Sequence, residues 1–163
     1  MQRVTCNRLT YHSSDLIQNA GGAVHGFSTR LGGVSKGDCA ELNLSLTRGD
    51  DPTCVFENYR LFCAAIGADS SKIAKTRQVH ADHIRIVETP GAESEEDADG
   101  LITNIPGIAL TVFYADCIPI LLYDPNMRVI AAVHAGWRGT ALGIVDKAVD
   151  MMSKRYASNP NDI

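Results

Sequence analysis

The sequence predicts an α/β protein with mixed strands and helices, and two patterns support this fold class. Three runs rich in β-branched and other apolar residues follow one another closely, at residues 108–114, 118–123 and 129–134, which is typical of a buried sheet core. Two other segments, 52–66 and 139–156, place apolar residues at helical spacing. Because the 163 residues are 45% hydrophobic and 21% charged, we expect one globular domain.

The first half of the chain should contain a short strand, a glycine-rich loop and a capped helix. Residues 22–29 have the strand pattern, and residues 30–37 form a loop with three glycines and two cations. Asp51 suits the N-cap of the helix, Pro52 its first position and Gly67 its C-terminal end. These signals define both ends of the first helix.

The second half should contain the sheet and a long helix. Residues 78–88 resemble a strand. Residues 90–99 carry five carboxylates and no neighbouring cation, so we expect a solvated, mobile loop there. A turn at 124–127 separates the last two strands. The final helix should begin at Thr140, a suitable N-cap, and run to about Tyr156.

Charge and hydropathy exclude several classes of protein. Lys and Arg number 15 and Asp and Glu number 19, and this net charge of −4 argues against a nucleic-acid surface. The N-terminus has no apolar segment of the signal-peptide kind, and Asp116 and two prolines interrupt the most apolar stretch, 105–123, so no membrane span is predicted. Five cysteines without a C-x-x-C pair indicate free thiols. We expect a cytoplasmic protein.

One cysteine and two histidines are candidates for a catalytic site. Cys117 follows Asp116 at a strand junction, where burying a carboxylate beside a thiol would be costly. His134 closes the next strand. A strand near residue 80 would send His80 and His83 to opposite faces, so at most one of them faces a site. We assign His80 to the site and expect His83 to face solvent.

The residues alone leave three interpretations of this set open. If Cys117, His134 and His80 converge, they match catalytic zinc, which keeps three protein ligands and an open position for water. The same atoms would also suit a nucleophile and base for acyl chemistry, or a buried thiol and a hydrogen-bonded core imidazole. A multinuclear copper centre is disfavoured because it needs paired imidazoles, and the five histidines include no His-x-His.

Two arginines are candidates for anion binding. Arg138 lies at a strand-to-helix turn whose backbone N–H groups would form an anion or oxyanion site. Arg30 lies in the glycine-rich loop, where two adjacent glycines allow close backbone approach to a phosphate. The loop matches neither G-x-G-x-x-G nor a P-loop, so a dinucleotide or ATP site is not supported.

Six short segments form a highly specific combination in this order along the chain. They are HGFSTRLGG at 25–33, LNLS at 42–45, QVH at 78–80, ADGLIT at 98–103, ADCIP at 115–119 and VHAGWRG at 133–139. Together they closely resemble the YfiH-type laccase-domain family, long labelled polyphenol oxidase and now regarded as purine nucleoside phosphorylase. The resemblance implies an α/β sandwich of mixed sheets and helices, similar to the catalytic domain of cytotoxic necrotizing factor.

The resemblance also implies an activity and a set of site residues. The implied enzyme is zinc-dependent, cleaves adenosine, inosine, guanosine and methylthioadenosine with phosphate, and deaminates adenosine. The resemblance places the zinc ligands at His80, Cys117 and His134, and the phosphate-binding arginine at Arg30. Asn43 lies in a matching segment, and we assign it to substrate or phosphate binding.

On this basis, zinc would activate a water for attack at purine C6 or polarise the nucleoside. Phosphate held by Arg30, together with Arg138, would attack ribose C1′. Asp116 is the candidate donor of a proton to the departing base.

Two other classes of function stay open. The first is a thiol amidohydrolase, with Cys117 as nucleophile, His134 as base and the amides of residues 136–139 as oxyanion donors. The Cys–His pair of cytotoxic necrotizing factor is the basis for this alternative. The second is a non-catalytic, truncated interaction module.

The length of the chain departs from the family pattern. Family members continue beyond the last helix, so residues 1–163 are expected to form a single domain that lacks the family's C-terminal portion and is an incomplete copy of the fold. An apolar sheet edge should then be exposed and drive association, with a complementing C-terminal segment or a second copy.

Overall fold

The computed structural model describes residues 1–91 and 93–163, which form two compact units, Met1–Ser70 and Ser71–Ile163. Ala92 belongs to the loop predicted at 90–99 and lies outside the described residues. Within the described part of the chain, no helix is long and apolar enough to cross a membrane.

In the first unit, an antiparallel sheet is followed by a long helix. Its elements are β1 (Gln2–Cys6), β2 (Leu9–Ser13), α1 (Asp15–Ala20), β3 (Phe27–Ser28) and α2 (Pro52–Ile66). The sheet has the order β1-β2-β3, with β2 antiparallel to both neighbours. The strand predicted at 22–29 is therefore confined to two residues.

Helix α2 has the ends that were predicted. The side chain of Asp51 accepts a hydrogen bond from the backbone N–H of Thr53 at 2.8 Å, and Gly67 ends the helix at φ +80°, in the left-handed region. The helix packs on β2 through an edge-to-face contact between the rings of Tyr11 and Phe62, 6.0 Å apart.

The second unit contains strands, two of them buried, and two consecutive helices. Its strands are β4 (Ile73–Arg77), β5 (Ile84–Ile86), β6 (Glu93–Asp97), β7 (Gly100–Thr103), β8 (Ala109–Leu110), β9 (Ile118–Asp124) and β10 (Val129–Ala135). The helices are α3 (Trp137–Ala141) and α4 (Ile144–Tyr156). One sheet has the order β5-β7-β10-β9, and another has the order β6-β4-β8. Parallel and antiparallel pairs both occur, so the sheets are mixed, as predicted.

The four-stranded sheet packs against a core cluster on each of its two faces. Successive side chains of a strand point to opposite faces, so neighbouring residues belong to different clusters. Ile102 of β7 belongs to a core cluster that includes Ile144 and Met152 of α4. Its neighbour Leu101 belongs to a second cluster with Ala74 of the other sheet. The second unit is thus a sandwich of sheets and helices, which confirms the predicted fold class.

Strand β9 lies at the edge of this sheet. Its first residue, Ile118, is 63% exposed. The exposure of Ile118 agrees with the expected apolar edge, and the association that such an edge would drive stays a prediction.

The prediction of a single long helix at the end of the chain is wrong. Two helices, α3 and α4, occupy the segment, and Gly143 between them has φ +71°. A right-handed helix cannot continue through a left-handed residue, and glycine adopts that conformation at little cost. Thr140 lies inside α3, and the N-cap of α3 is Gly136.

The prediction of a loop at 90–99 is also wrong over residues 93–97, because these residues form strand β6. This strand lies parallel to β4, and Arg77 of β4 bonds Asp97 with 2.5 Å between Nε and Oδ1. Arg85 lies 3.5 Å from Glu96. These carboxylates do have partner cations, but the cations come from strands distant in sequence.

Candidate metal centre

His134 occupies the buried end of a central strand. It belongs to β10, which is hydrogen-bonded on both sides by β7 and β9, and its side chain is 3% exposed. Its Nδ1 lies 2.8 Å from Oδ1 of Asp99. Since a carboxylate only accepts hydrogen bonds, Nδ1 carries the proton and Nε2 is the nitrogen with a lone pair for a metal or a proton.

Asp99 contacts the candidate ligands, and the sequence interpretation did not assign it to the site. It was counted among solvated carboxylates, yet it is 0% exposed. Its two oxygens accept hydrogen bonds from the consecutive backbone N–H groups of Val79, His80 and Ala81, at 3.2, 2.9 and 2.8 Å. One signal for Asp99 was available in the sequence: it lies in the segment ADGLIT at 98–103, directly before a short apolar run.

His80 lies in a turn, so the strand predicted over residues 78–88 is wrong outside Ile84–Ile86. The N–H groups at positions 79 to 81 point to one carboxylate rather than to a neighbouring strand, which explains the difference. His80 has φ +60°, and its ring lies edge-on to that of His134 with 4.8 Å between centroids. His83 is exposed, as predicted, and contacts Glu96 at 3.0 Å.

The turn that carries His80 is also connected to helix α4. Lys147 of α4 donates a hydrogen bond to the carboxylate of Asp82. This hydrogen bond holds the pKa of Asp82 below its usual range. The turn is thus contacted by Asp99 through its backbone N–H groups and by Lys147 through the side chain of Asp82.

Cys117 completes the set of three donors. It is half-buried in the bend that precedes β9, and the pairing of Ile118 with Ala135 brings it beside the end of β10. The ligand atoms of His80, Cys117 and His134 all lie within 4.8 Å of one another. The structure thus brings together the three residues predicted as metal ligands.

Gly136 has no side chain, and this leaves space between the three donors. A Cβ atom built at Gly136 would lie 3.2 Å from Cδ2 of His80, 3.3 Å from Sγ of Cys117 and 3.8 Å from Cε1 of His134. The backbone of Gly136 has φ −73° and ψ 171°, which any residue can adopt. The site therefore needs glycine at this position because glycine has no side chain, and not because of its backbone freedom.

The donor set fits a single transition-metal ion of the zinc kind. Two imidazole nitrogens and one thiolate are ligands that Zn²⁺ binds, whereas Mg²⁺ and Ca²⁺ take oxygen ligands. Three protein donors leave a fourth position for a water or substrate. The second ring nitrogen of His134 binds a carboxylate, which is the usual outer partner of a metal-binding histidine.

Asp116 and Arg138 lie next to this centre in the sequence and are both exposed. The expectation that Asp116 is buried beside the thiol is wrong, because the bend before β9 turns it to solvent. The guanidinium of Arg138 lies 5.1 Å from the ring centroid of Trp137. Proton donation by Asp116 and anion binding by Arg138 stay predictions.

Arg30 and Asn43 belong to the first unit. Nη2 of Arg30 donates to the carbonyl of Ala40 at 2.5 Å, and the side chain is exposed. Asn43 donates through Nδ2 to the carbonyl of Ser45 at 3.0 Å and to Asp50 at 2.9 Å. Its Oδ1 accepts the backbone N–H of Ser45 at 3.0 Å, so both ends of this amide are engaged within the loop. The binding roles of both residues stay predictions.

The two adjacent glycines beside Arg30 have a structural explanation. A Cβ at Gly32 would lie 2.0 Å from the carbonyl oxygen of Arg8, and one at Gly33 would lie 2.1 Å from that of Glu41. The close approach that these glycines permit is therefore made by the protein's own backbone.

Fold and centre together define a mixed α/β protein with a candidate centre for one metal ion, built from two histidines and a cysteine. Residues 24–163 match the family described as multi-copper polyphenol oxidoreductase laccase, and the chain belongs to this family. The YfiH-type resemblance is thereby confirmed. Only one group of three metal-binding side chains occurs among the described residues, and it has the composition of a mononuclear centre.

Named relatives and a solved structure support the same assignment. The chain is 43% identical over 128 residues to a purine nucleoside phosphorylase of Deinococcus radiodurans, covering 78% of this chain and 49% of that protein. It is 35% identical over 158 residues to purine nucleoside phosphorylase LACC1 of Mus musculus, covering 95% of this chain and 36% of that protein. The hypothetical protein YfiH of Bacillus licheniformis has a similar structure, with a TM-score of 0.77 and 33% identity over 84% of this chain and 54% of that one. The chain therefore spans about half the length, or less, of these proteins.

Proposed function

We propose that this chain carries the metal centre of an enzyme of the purine nucleoside phosphorylase kind. The observation that carries the proposal is the convergence of His80, Cys117 and His134, whose ligand atoms lie within 4.8 Å of one another. The relatives named purine nucleoside phosphorylase supply the class of reaction. The proposed substrates are phosphate and the purine nucleosides adenosine, inosine, guanosine and methylthioadenosine.

Zinc is the proposed metal. His80, Cys117 and His134 would hold it, and when bound it supplies a Lewis acid that polarises an oxygen or nitrogen of the substrate or activates a water. Asp99 keeps the proton of His134 on Nδ1, so that Nε2 is available as the ligand atom. Gly136 keeps the space between the donors open.

In the proposed phosphorolysis, an oxygen of phosphate forms a bond to C1′ while the bond from C1′ to the purine nitrogen breaks. The electron pair of that bond leaves with the purine, which then takes a proton. Arg30 and Arg138 are the proposed phosphate-binding residues, because a guanidinium binds phosphate oxygens in a bidentate manner. Asp116 is the proposed proton donor. Adenosine deamination at the same centre is a further part of the proposal.

The test combines elemental analysis with an assay. The purified chain, Cys117→Ala and the control Cys54→Ala, which removes a half-buried thiol from helix α2, are assayed for zinc and for release of base from adenosine and inosine with and without phosphate. We expect zinc and phosphate-dependent release in the chain and in the control, and loss of both in Cys117→Ala. A zinc-free Cys117→Ala variant with full activity would contradict the proposal.

A thiol hydrolase is a second candidate, and one observation favours it. Asp99 orients His134, which lies near Cys117, so a nucleophile, a base and an orienting carboxylate occur in series, as in a catalytic triad. Hydrolysis of an amide or ester by metal-free protein, abolished by alkylation of Cys117, would favour this candidate. Binding of a protein partner without any turnover or metal uptake would instead favour the interaction module.

A further inference from the structure

We propose that Asp99 is the positioning residue of the metal centre. One carboxylate sets both the orientation of the His134 ring and the backbone of the turn that carries His80, so it assembles two donors that lie 54 residues apart. The proposal rests on the proposed binding of a metal by His80, Cys117 and His134.

Four hydrogen bonds converge on the carboxylate of Asp99. Oδ1 accepts from Nδ1 of His134 at 2.8 Å and from the N–H of His80 at 2.9 Å. Oδ2 accepts from the N–H groups of Val79 at 3.2 Å and Ala81 at 2.8 Å. An ionised carboxylate has about four sites for accepting hydrogen bonds, so Asp99 uses its full capacity. A carboxamide of the same shape would direct its own N–H protons at two of these donors.

His80 has an unusual backbone conformation. Its φ of +60° lies in the left-handed region, which a residue with a Cβ avoids unless its surroundings impose it. The hydrogen bonds from positions 79 to 81 to Asp99 impose it here. Without these hydrogen bonds, the turn would no longer be held in the conformation that places the His80 ring edge-on to the ring of His134.

Main-chain hydrogen bonds also hold Asp99 in place beside the sheet. The backbone carbonyl of Asp99 accepts from the N–H of His134 at 2.6 Å, and its backbone N–H donates to the carbonyl of His83 at 2.9 Å. The following strand, β7, is buried throughout. Asp99 is thus connected by its main chain to β10 and by its side chain to the turn, which is the arrangement expected of an outer-shell partner of metal ligands.

The matched variants are Asp99→Asn and Asp124→Asn. Asp124 is also a carboxylate at 0% exposure and accepts backbone N–H groups, from Asn126 and Met127, but it contacts none of the three donors. Zinc affinity of the whole chain is measured by competition with a chelator, and cobalt binding by its absorption spectrum. We expect Asp99→Asn to weaken zinc binding about 10- to 100-fold, and Asp124→Asn to leave it within about threefold. Equal affinity of Asp99→Asn and the unchanged chain would overturn the proposal.

A second measurement needs no metal, and the outcome that would overturn the proposal is read from the unchanged chain alone. Nitrogen-15 NMR of the metal-free chain at pH 8 reports which nitrogen of His134 carries the proton. We expect the Nδ1–H form in the unchanged chain and its loss in Asp99→Asn. The Nε2–H form in the unchanged chain would overturn the proposal. If the chain binds no metal but His134 has the Nδ1–H form, the proposed function fails while the orientation of His134 by Asp99 is supported.

Discussion

Replacing Gly136 by Ala should weaken metal binding without unfolding the protein. The new Cβ would lie 3.2 Å from a ring carbon of His80 and 3.3 Å from the sulfur of Cys117, which is tighter than most real contacts. These neighbours would have to move by a few tenths of an ångström. Metal–ligand distances hold to about ±0.2 Å, so this displacement is large for a metal site.

The size of the effect follows from the requirement to displace two donors. A loss of about 10- to 100-fold in zinc affinity is expected for such changes, and this corresponds to about 1.4 to 2.8 kcal/mol. The backbone at Gly136, with φ −73° and ψ 171°, accepts alanine without strain, so the melting temperature of the metal-free chain should barely change.

The assay is chelator competition for zinc together with thermal unfolding of the metal-free protein. The control is Gly37→Ala, whose Cβ would meet no atom within 4 Å but whose φ of +60° disfavours alanine. We expect the control to lower stability by about 1 to 2 kcal/mol and to leave zinc affinity unchanged. A Gly136→Ala variant that binds zinc as tightly as the unchanged chain would refute the arrangement of donors around this residue.

Three further outcomes are expected. Burial lowers the pKa of His25 below its usual value of 6.5, so just below that pH the unfolded state binds more protons than the folded state. The free energy of unfolding should therefore fall as the pH drops below about 6.5. Denaturant unfolding of His25→Gln at several pH values should show that this contribution is lost. Asp51→Ala removes the cap on Thr53 and should cost about 0.5 to 2 kcal/mol in chemical denaturation, whereas an unchanged midpoint would argue against the cap. Burial raises the pKa of the Cys63 thiol to about 11, so this thiol should resist iodoacetamide at pH 8 until the chain is denatured, and mass spectrometry of labelled peptides would show early labelling if that were wrong.

Local signals were sufficient where an element depends on its own residues. Helix α2 was predicted to its last residue because its cap, Asp51, and its terminating glycine, Gly67, lie at its two ends. Strands β9 and β10 were predicted because each is a nearly continuous apolar run, although β10 is buried and β9, at the sheet edge, is half-buried along most of its length.

Elements that depend on distant residues could not be predicted in this way. Strand β6 has the composition of a solvated loop, but it pairs with β4, and this pairing brings Asp97 to Arg77, twenty positions away. The turn at His80 looks like the start of a strand, and it forms because Asp99 accepts its N–H groups. Such pairings follow from the topology of the chain, and the spacing of residues within one segment does not encode them.

The three candidate donors lie together in the structure, although they follow no short metal-binding motif. The reason lies in how each is held. His134 and Cys117 depend on the register of β10 with β9, where Ala135 pairs with Ile118, whereas His80 depends on a turn held by the carboxylate of Asp99. Residue types singled out the donors, but their supports are non-local. One buried carboxylate and one strand pairing determine where the three candidate ligands meet. The spacing of these ligands along the sequence does not determine it.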